Sequence, residues 1–227
     1  GNTTEEYHVG RGPIAIPGAI AGMYKMHEIW ANIPMTEIFE PALQWSKEGV
    51  AIDKFQAYDF QLLKNIFELN EDGRSLFFDQ NGHLKKEGDQ LRMPQYSDFL
   101  NVLKHEGRDL FYKGEISKQV SEDLQHDGYL TRADFEEYQV SVRDPLSFDF
   151  FGHRVCTPAF PSVGGMMITA LLNTFQDLTV KEHLSFLSVQ HLQKLIDSFR
   201  KIQSLQNDPN RIAEFLIQQF GINAMPR

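Results

Sequence analysis

The stretch FDFFGHRVCTPAFPSVGGMMITALLNTF, residues 148–175, decides what kind of fold this chain can form. Short β-prone runs carrying Phe148, Phe150, Arg154, Val155 and Cys156 flank Phe151-Gly152-His153, and a hairpin turning on that glycine is predicted. Pro161-Ser162-Val163-Gly164-Gly165 follows as a loop, because proline and paired glycines interrupt regular structure. From residue 166 to 175 the residues are almost all small or apolar, which predicts a compact buried helix.

Outward from this stretch the period changes. Upstream, Ala19, Ile20, Met23 and Met26 recur at helical spacing after Gly18, predicting a helix over 19–30. A second helix, entered near Thr36, carries the stripe Ile38, Ala42 and Trp45 and stops at Gly49. A third, over 54–68, carries Phe55, Tyr58, Leu62 and Ile66, with Leu69 just beyond it. Gly73, Asn81-Gly82 and Gly88 predict turns around the apolar strip Leu76-Phe77-Phe78. Pro94 opens a helix running through Phe99, Val102 and Leu103 to Gly107, and Ile116, Val120 and Leu124 outline the next. Downstream, residues 189–205 form an amphipathic pattern. The chain therefore reads as α+β and mostly helical. It reads as a single domain segment with an irregular lead-in over 1–15 and a helical part over 16–139. The hairpin, glycine-rich loop and helix occupy 140–178, and C-terminal helices 179–227.

Composition narrows the function classes. With 41% hydrophobic and 23% charged residues among 227, the chain is in the ordinary globular range. Its 22 basic residues against 31 acidic ones give a net charge of −9, which argues against nucleic acid or anionic lipid as a partner. A lone cysteine, Cys156, rules out an internal disulfide framework and a cysteine zinc cluster; within a strand it reads as a small buried hydrophobe. No apolar run approaches the roughly 20 residues that cross a bilayer. Beginning at Gly1 rather than methionine, the sequence reads as a piece of a longer protein from which a secretion signal could have been removed.

Chemistry-bearing patterns are sparse. The eight histidines form no metal-binding spacing, so no metal or cofactor is expected. The stretch 123–134 places oxygen ligands and Gly128 almost as a calcium-binding EF-hand loop does, from Asp123 to Asp134, although aspartate at the twelfth position is short for bidentate contact. The companion stretch Asp79-Gln80-Asn81-Gly82 fails because, with Gly82 at the sixth position of the loop, the twelfth is Gly88. Phe55, Tyr58, Phe60 and Phe67 read as core. An EF-hand-like interaction module and a helical scaffold without chemistry are thus rival readings to an enzyme.

Four blocks, taken in order, resemble the γ-glutamyltransferase (γ-glutamyl transpeptidase) family. The first is Ile16-Pro17-Gly18-Ala19-Ile20-Ala21-Gly22, followed by Phe39-Glu40-Pro41-Ala42 and Glu48-Gly49, similar to the family's V-P-G-x-x-A-G and P-A-x-x-x-A-x-x-G. Phe111-Tyr112-Lys113-Gly114 is similar to F-Y-x-G. Gly128-Tyr129-Leu130-Thr131-Arg132-Ala133-Asp134-Phe135 with Tyr138, then Arg143-Asp144-Pro145-Leu146, resemble G-x-L-T-x-x-D-L-x-x-Y and R-x-P-L. Gly152-His153-Arg154-Val155 and Pro161-Ser162-Val163-Gly164-Gly165 resemble G-x-x-V and P-P-P-S-S-G-G. Here Ala159 and Phe160 replace prolines and Val163 replaces a serine.

The resemblance implies the large-chain part of an N-terminal nucleophile hydrolase, a segment of an αββα sandwich completed by a second chain. In that family a precursor cuts itself, and the threonine exposed at the start of the small chain attacks a γ-glutamyl amide such as glutathione. An acyl-enzyme then passes its group to water or an amine. No catalytic residue is expected in this chain. Thr3-Thr4 precedes the large-chain motifs, and Arg11 reads as a solvated loop residue. Ser162, Gly164 and Gly165 are the candidates for the substrate pocket, through backbone N–H groups; the alternative is a turn in which the glycines allow close approach. Family members act outside the cytoplasm, which makes an extracytoplasmic location the expectation.

Overall fold

The computed structural model describes residues 8–182 and 184–225; the Thr3-Thr4 pair lies outside them. The chain divides into two compact units, Gly1–Val140 and Ser141–Arg227.

The first unit is helical, as its periodicity predicts. Helix α1 (Ala19–Trp30) has the expected bounds. The helix expected from Thr36 is two, α2 (Met35–Ile38) and α3 (Glu40–Glu48), broken at Phe39, with Gly49 at φ 91° ending the second. Strand β1 (Val50–Ala51) precedes α4 (Lys54–Phe67), which opens on a capping box: the Asp53 carboxylate accepts from the Gln56 N–H, and the Gln56 side chain accepts from the Asp53 N–H.

Where turns are predicted around Leu76-Phe77-Phe78, the chain forms helix α5 (Glu71–Phe77), passing straight through Gly73. Asn70 caps that helix by accepting from the Gly73 N–H, and a Cβ on Gly73 would run into the Phe67 carbonyl. Strand β2 (Gln90–Leu91) pairs antiparallel with β1. Then come α6 (Pro94–Glu106), ended by Gly107 as predicted, α7 (Asp109–Tyr112), α8 (Glu115–Asp123) and α9 (Arg132–Glu137).

Burial in this unit departs from the predicted stripes. Helical spacing defines a face without saying what covers it. Phe55 is 70% exposed, and Tyr58, Leu62 and Leu69 are exposed with it. Of the four aromatics expected in the core, Phe60 is buried and Phe67 half-buried; both meet Phe77 of α5, with Phe67 and Phe77 stacked at 3.8 Å between centroids. Ile38 and Trp45 also face outward, whereas Ser46 is buried and donates to the Leu43 carbonyl.

The second unit holds the predicted hairpin. Strands β3 (Leu146–Phe150) and β4 (His153–Thr157) pair from Leu146↔Thr157 to Phe150↔His153. Phe151 and Gly152 both have positive φ, 47° and 81°, the pattern of a type I′ turn matched to strand twist. Helix α10 (Val163–Glu182) is twice the predicted length, and α11 (Val189–Gln203) lies where expected. Helix α12 (Pro209–Phe220) completes the unit; Asp208 caps it and Gly221, in the left-handed region at φ 67°, ends it. Leu146, Met166, Ala170, Ile202, Ile212 and Leu216 are buried together as a core drawn from β3 and all three helices. Cys156 departs from expectation: it is exposed, its sulfur 3.4 Å from the Ser147 hydroxyl, because its position in β4 points away from α10.

Candidate functional site

In the first unit the ordered motifs meet as a small core. Tyr112 and Phe135 are buried with Ala21, and Ile16, Ile20, Phe111, Leu130 and Tyr138 lie against them. The Tyr112 hydroxyl donates to the Pro17 carbonyl at 2.5 Å and accepts from the Ala21 N–H at 3.1 Å, and burial raises its pKa. Tyr138 stacks on Tyr112 at 5.5 Å, and its hydroxyl occupies the space a side chain at Gly18 would need. The first three blocks are thus structural partners: Pro17-Gly18 exists for Tyr112 and Tyr138.

The EF-hand-like stretch is committed to the same purpose. Thr131 and Asp134 form a capping box at the start of α9. The Asp134 carboxylate accepts from the Thr131 N–H and hydroxyl, each at 2.7 Å, and these bonds lower its pKa. Asp127 pairs with Arg11 at 3.1 Å, so the arginine read as solvated has a carboxylate partner across the loop. Among the described residues no group of three or more histidine, cysteine or carboxylate side chains could share a metal ion.

The fourth block frames an open groove of about 610 Å³ in the second unit, lined by Arg143, Asp144, Cys156, Thr157, Pro158 and Ser162, among others. Arg143 Nη1 donates to the Phe160 carbonyl at 3.1 Å, which places the guanidinium over the proline-containing turn. Glycine-rich residues expected as a loop are the first turn of α10. Ser162 Oγ accepts from the Gly165 N–H at 3.3 Å, acting as a cap. The two glycines differ. Gly165 is buried; its carbonyl accepts from Thr157 Oγ1 and Thr169 Oγ1, and a Cβ there would run into the Pro158 carbonyl. Gly164 has open space where a side chain would be. Of the three pocket candidates, Ser162 therefore caps and lines the groove, Gly165 serves close approach, and Gly164 stands unobstructed at the electropositive end of a long helix.

Structural similarity defines the class. The described fold matches the crystal structure of Helicobacter pylori γ-glutamyltranspeptidase with a TM-score of 0.77 at 19% identity, covering 96% of this chain and 66% of that one. The two thus share a fold, in this chain mostly helical with two small antiparallel sheets. The gamma-glutamyltranspeptidase family profile matches residues 1–210, and the chain belongs to that family. It is 28% identical over 216 residues to glutathione hydrolase 2 of Arabidopsis thaliana, covering 94% of this chain and 37% of that protein. It is 28% identical over 173 residues to the glutathione hydrolase proenzyme of Escherichia coli, covering 74% and 29%. The chain spans about a third of the length of the curated relatives it matches.

Proposed function

We propose that this chain is the large-chain part of a γ-glutamyltransferase that cleaves γ-glutamyl amides such as glutathione, and that it acts only with a small chain of the same precursor. The observation that carries this reading is the family match across residues 1–210, with its motif residues arranged as mutually supporting core. The relative named a proenzyme supports a precursor that is cut. In this reading the nucleophile is a threonine at the start of the small chain. Its own α-amine accepts the hydroxyl proton as the oxygen attacks the γ-carbonyl. The γ-amide C–N bond then breaks and the leaving amine takes that proton. The γ-glutamyl group left as an ester on the threonine passes to water or an acceptor amine, which frees the hydroxyl again.

In this reading the chain shapes the pocket around that threonine. Ser162 and Gly164, at the start of α10, contribute polar groups to the pocket wall, while Gly165 keeps the turn close to β4. The parent protein works outside the cytoplasm; among the described residues no helix is long and apolar enough to cross a membrane.

Expression of the full-length gene, followed by intact mass measurement and N-terminal sequencing of the purified protein, tests the reading. Two polypeptides are expected, the smaller beginning with threonine, with hydrolysis of a γ-glutamyl anilide. A single uncut, inactive chain would overturn it.

A further inference from the structure

Helix α11 opens on a capping box with one member replaced. Ser188 is the cap, its hydroxyl accepting from the His191 N–H at 3.2 Å. In the usual box a glutamate or glutamine at that third helical position reaches back to an N–H ahead of the helix. Here an imidazole does so: His191 Nδ1 accepts from the Leu187 N–H at 3.3 Å. A backbone N–H can only donate, so Nδ1 is unprotonated and the ring proton sits on Nε2. Helices α4 and α9 open on boxes of the same kind, built with Gln56 and Asp134. Of these three reaching side chains, imidazole is the type that loses its acceptor between about pH 5 and 8.

The surroundings set the sign of that loss. Leu187 has φ 58°, in the left-handed region, where a leucine is strained. Its side chain is 63% exposed, so packing contributes little to holding that conformation. His191 is only 6% exposed, its ring 4.9 Å from that of Phe175 and 5.5 Å from that of Phe186, steeply inclined to both. An imidazolium there would lose the Leu187 bond, lie at the positive end of α11 and be poorly hydrated, three costs of one sign. The charges of the adjoining helices are matched to other partners. Asp177 pairs with Lys181 along α10 at 2.7 Å, Glu182 pairs with Lys194 of α11 at 2.8 Å, and Asp197 accepts from Gln193 at 3.1 Å. His183, which precedes this connection in the sequence, is a second imidazole.

We propose that His191 is an acid-sensitive latch on the connection between α10 and α11. With Nδ1 unprotonated it fastens residues 187–191 to the start of α11; a proton taken up at Nδ1 displaces the Leu187 N–H and releases them. The fastened form holds one proton fewer than the released form, so falling pH favours release. The latch shares no residue with the groove at Arg143 and Ser162 and stands independently of the proposed catalytic function.

Hydrogen exchange of the full-length protein at about pH 7.5 and about pH 5.5, on either side of the ordinary imidazole value, tests it once each rate is corrected for the intrinsic rate at that pH. Protection of the amides from Leu187 to His191 is expected to fall about tenfold at the lower pH, with α12 unchanged. His191→Gln supplies an acceptor that does not titrate and should hold the same protection at both pH values, whereas His191→Ala should be poorly protected at both. His183→Asn should keep the wild-type fall. Equal protection at both pH values in the wild-type protein overturns the proposal. So does a fall that survives in His191→Gln or disappears in His183→Asn. Should His191→Gln lose its native thermal midpoint, the wild-type and His183→Asn results decide by themselves.

Discussion

The two units differ in how their buried cores are assembled. In the second, Leu146, Met166, Ile202, Ile212 and Leu216 close on one another, so a hairpin and three helices share one continuous core. In the first, Tyr112, Phe135 and Ala21 form one small cluster and Ile52, Phe60, Leu100, Leu103 and Leu124 are buried apart from it, while Met23, Trp30, Trp45, Phe55 and Leu62 are exposed. The comparison teaches that amphipathic spacing has two meanings. Some stripe residues are buried, such as Ile212 and Leu216 on α12, while others stay exposed in both units, Phe55 and Leu62 on α4 and Leu192, Ile196 and Phe199 on α11.

The sharpest way to break this contrast is at its narrowest point. Phe135→Ala removes the fully buried ring at the centre of the first unit and should cost about 4 kcal/mol in urea unfolding. Amides of α1, α7 and α9 should lose protection while those of α10 and α12 keep theirs; equal loss in both units would erase the distinction. Gly165→Ala probes the second unit, where the obstacle is a backbone carbonyl that cannot swing aside. A loss of about 2 to 3 kcal/mol is expected, with Gly164→Ala nearly neutral as the control.

A cap should matter less than a core. Thr131→Ala removes half of the capping box of α9 and should cost about 1 kcal/mol by denaturant titration. The same box has a pH signature. Its hydrogen bonds depress the Asp134 pKa in the folded chain, so its contribution is present above the unfolded value of about 3.9 and is lost as pH falls through the lower folded value. In Thr131→Ala that acid-side dependence should flatten. Smallest of all, Trp45→Gln should change stability of this chain by less than about 0.5 kcal/mol, since its side chain is exposed; a loss near 2 kcal/mol would mean that the face is covered.

Much of the fold was legible because local rules suffice for it. Pro94 and Gly107 bracket α6, Ala19 to Trp30 repeat at helical spacing, and Gly152 marks the hairpin turn. The break between α2 and α3 at Phe39 follows from Pro41, which has no N–H to bond back to Glu37, a signal that the apolar period alone passes over. Gly73 misled because its role is close approach to the Phe67 carbonyl inside α5, not a turn. Helix α12 did announce itself: Asp208 before Pro209, then Ile212, Ala213 and Leu216, ending at Gly221, is a complete start and stop signal. At the candidate site, residue types were legible and their duties were not. Ser162 as a cap became visible only with α10 starting at Val163, and Gly165 beneath the Pro158 carbonyl depends on how the chain folds back between β4 and α10.

The Tyr112 hydroxyl also sets a schedule. Its partners Pro17 and Ala21 lie 95 and 91 residues earlier in the chain. At about 5 to 20 residues per second of synthesis, the lead-in and α1 wait on the order of 5 to 20 seconds for the ring that fastens them. Throughout that interval Ile16, Ile20 and Ala21 are without the ring they pack against, so the first motif block takes its native place only after the second has been made.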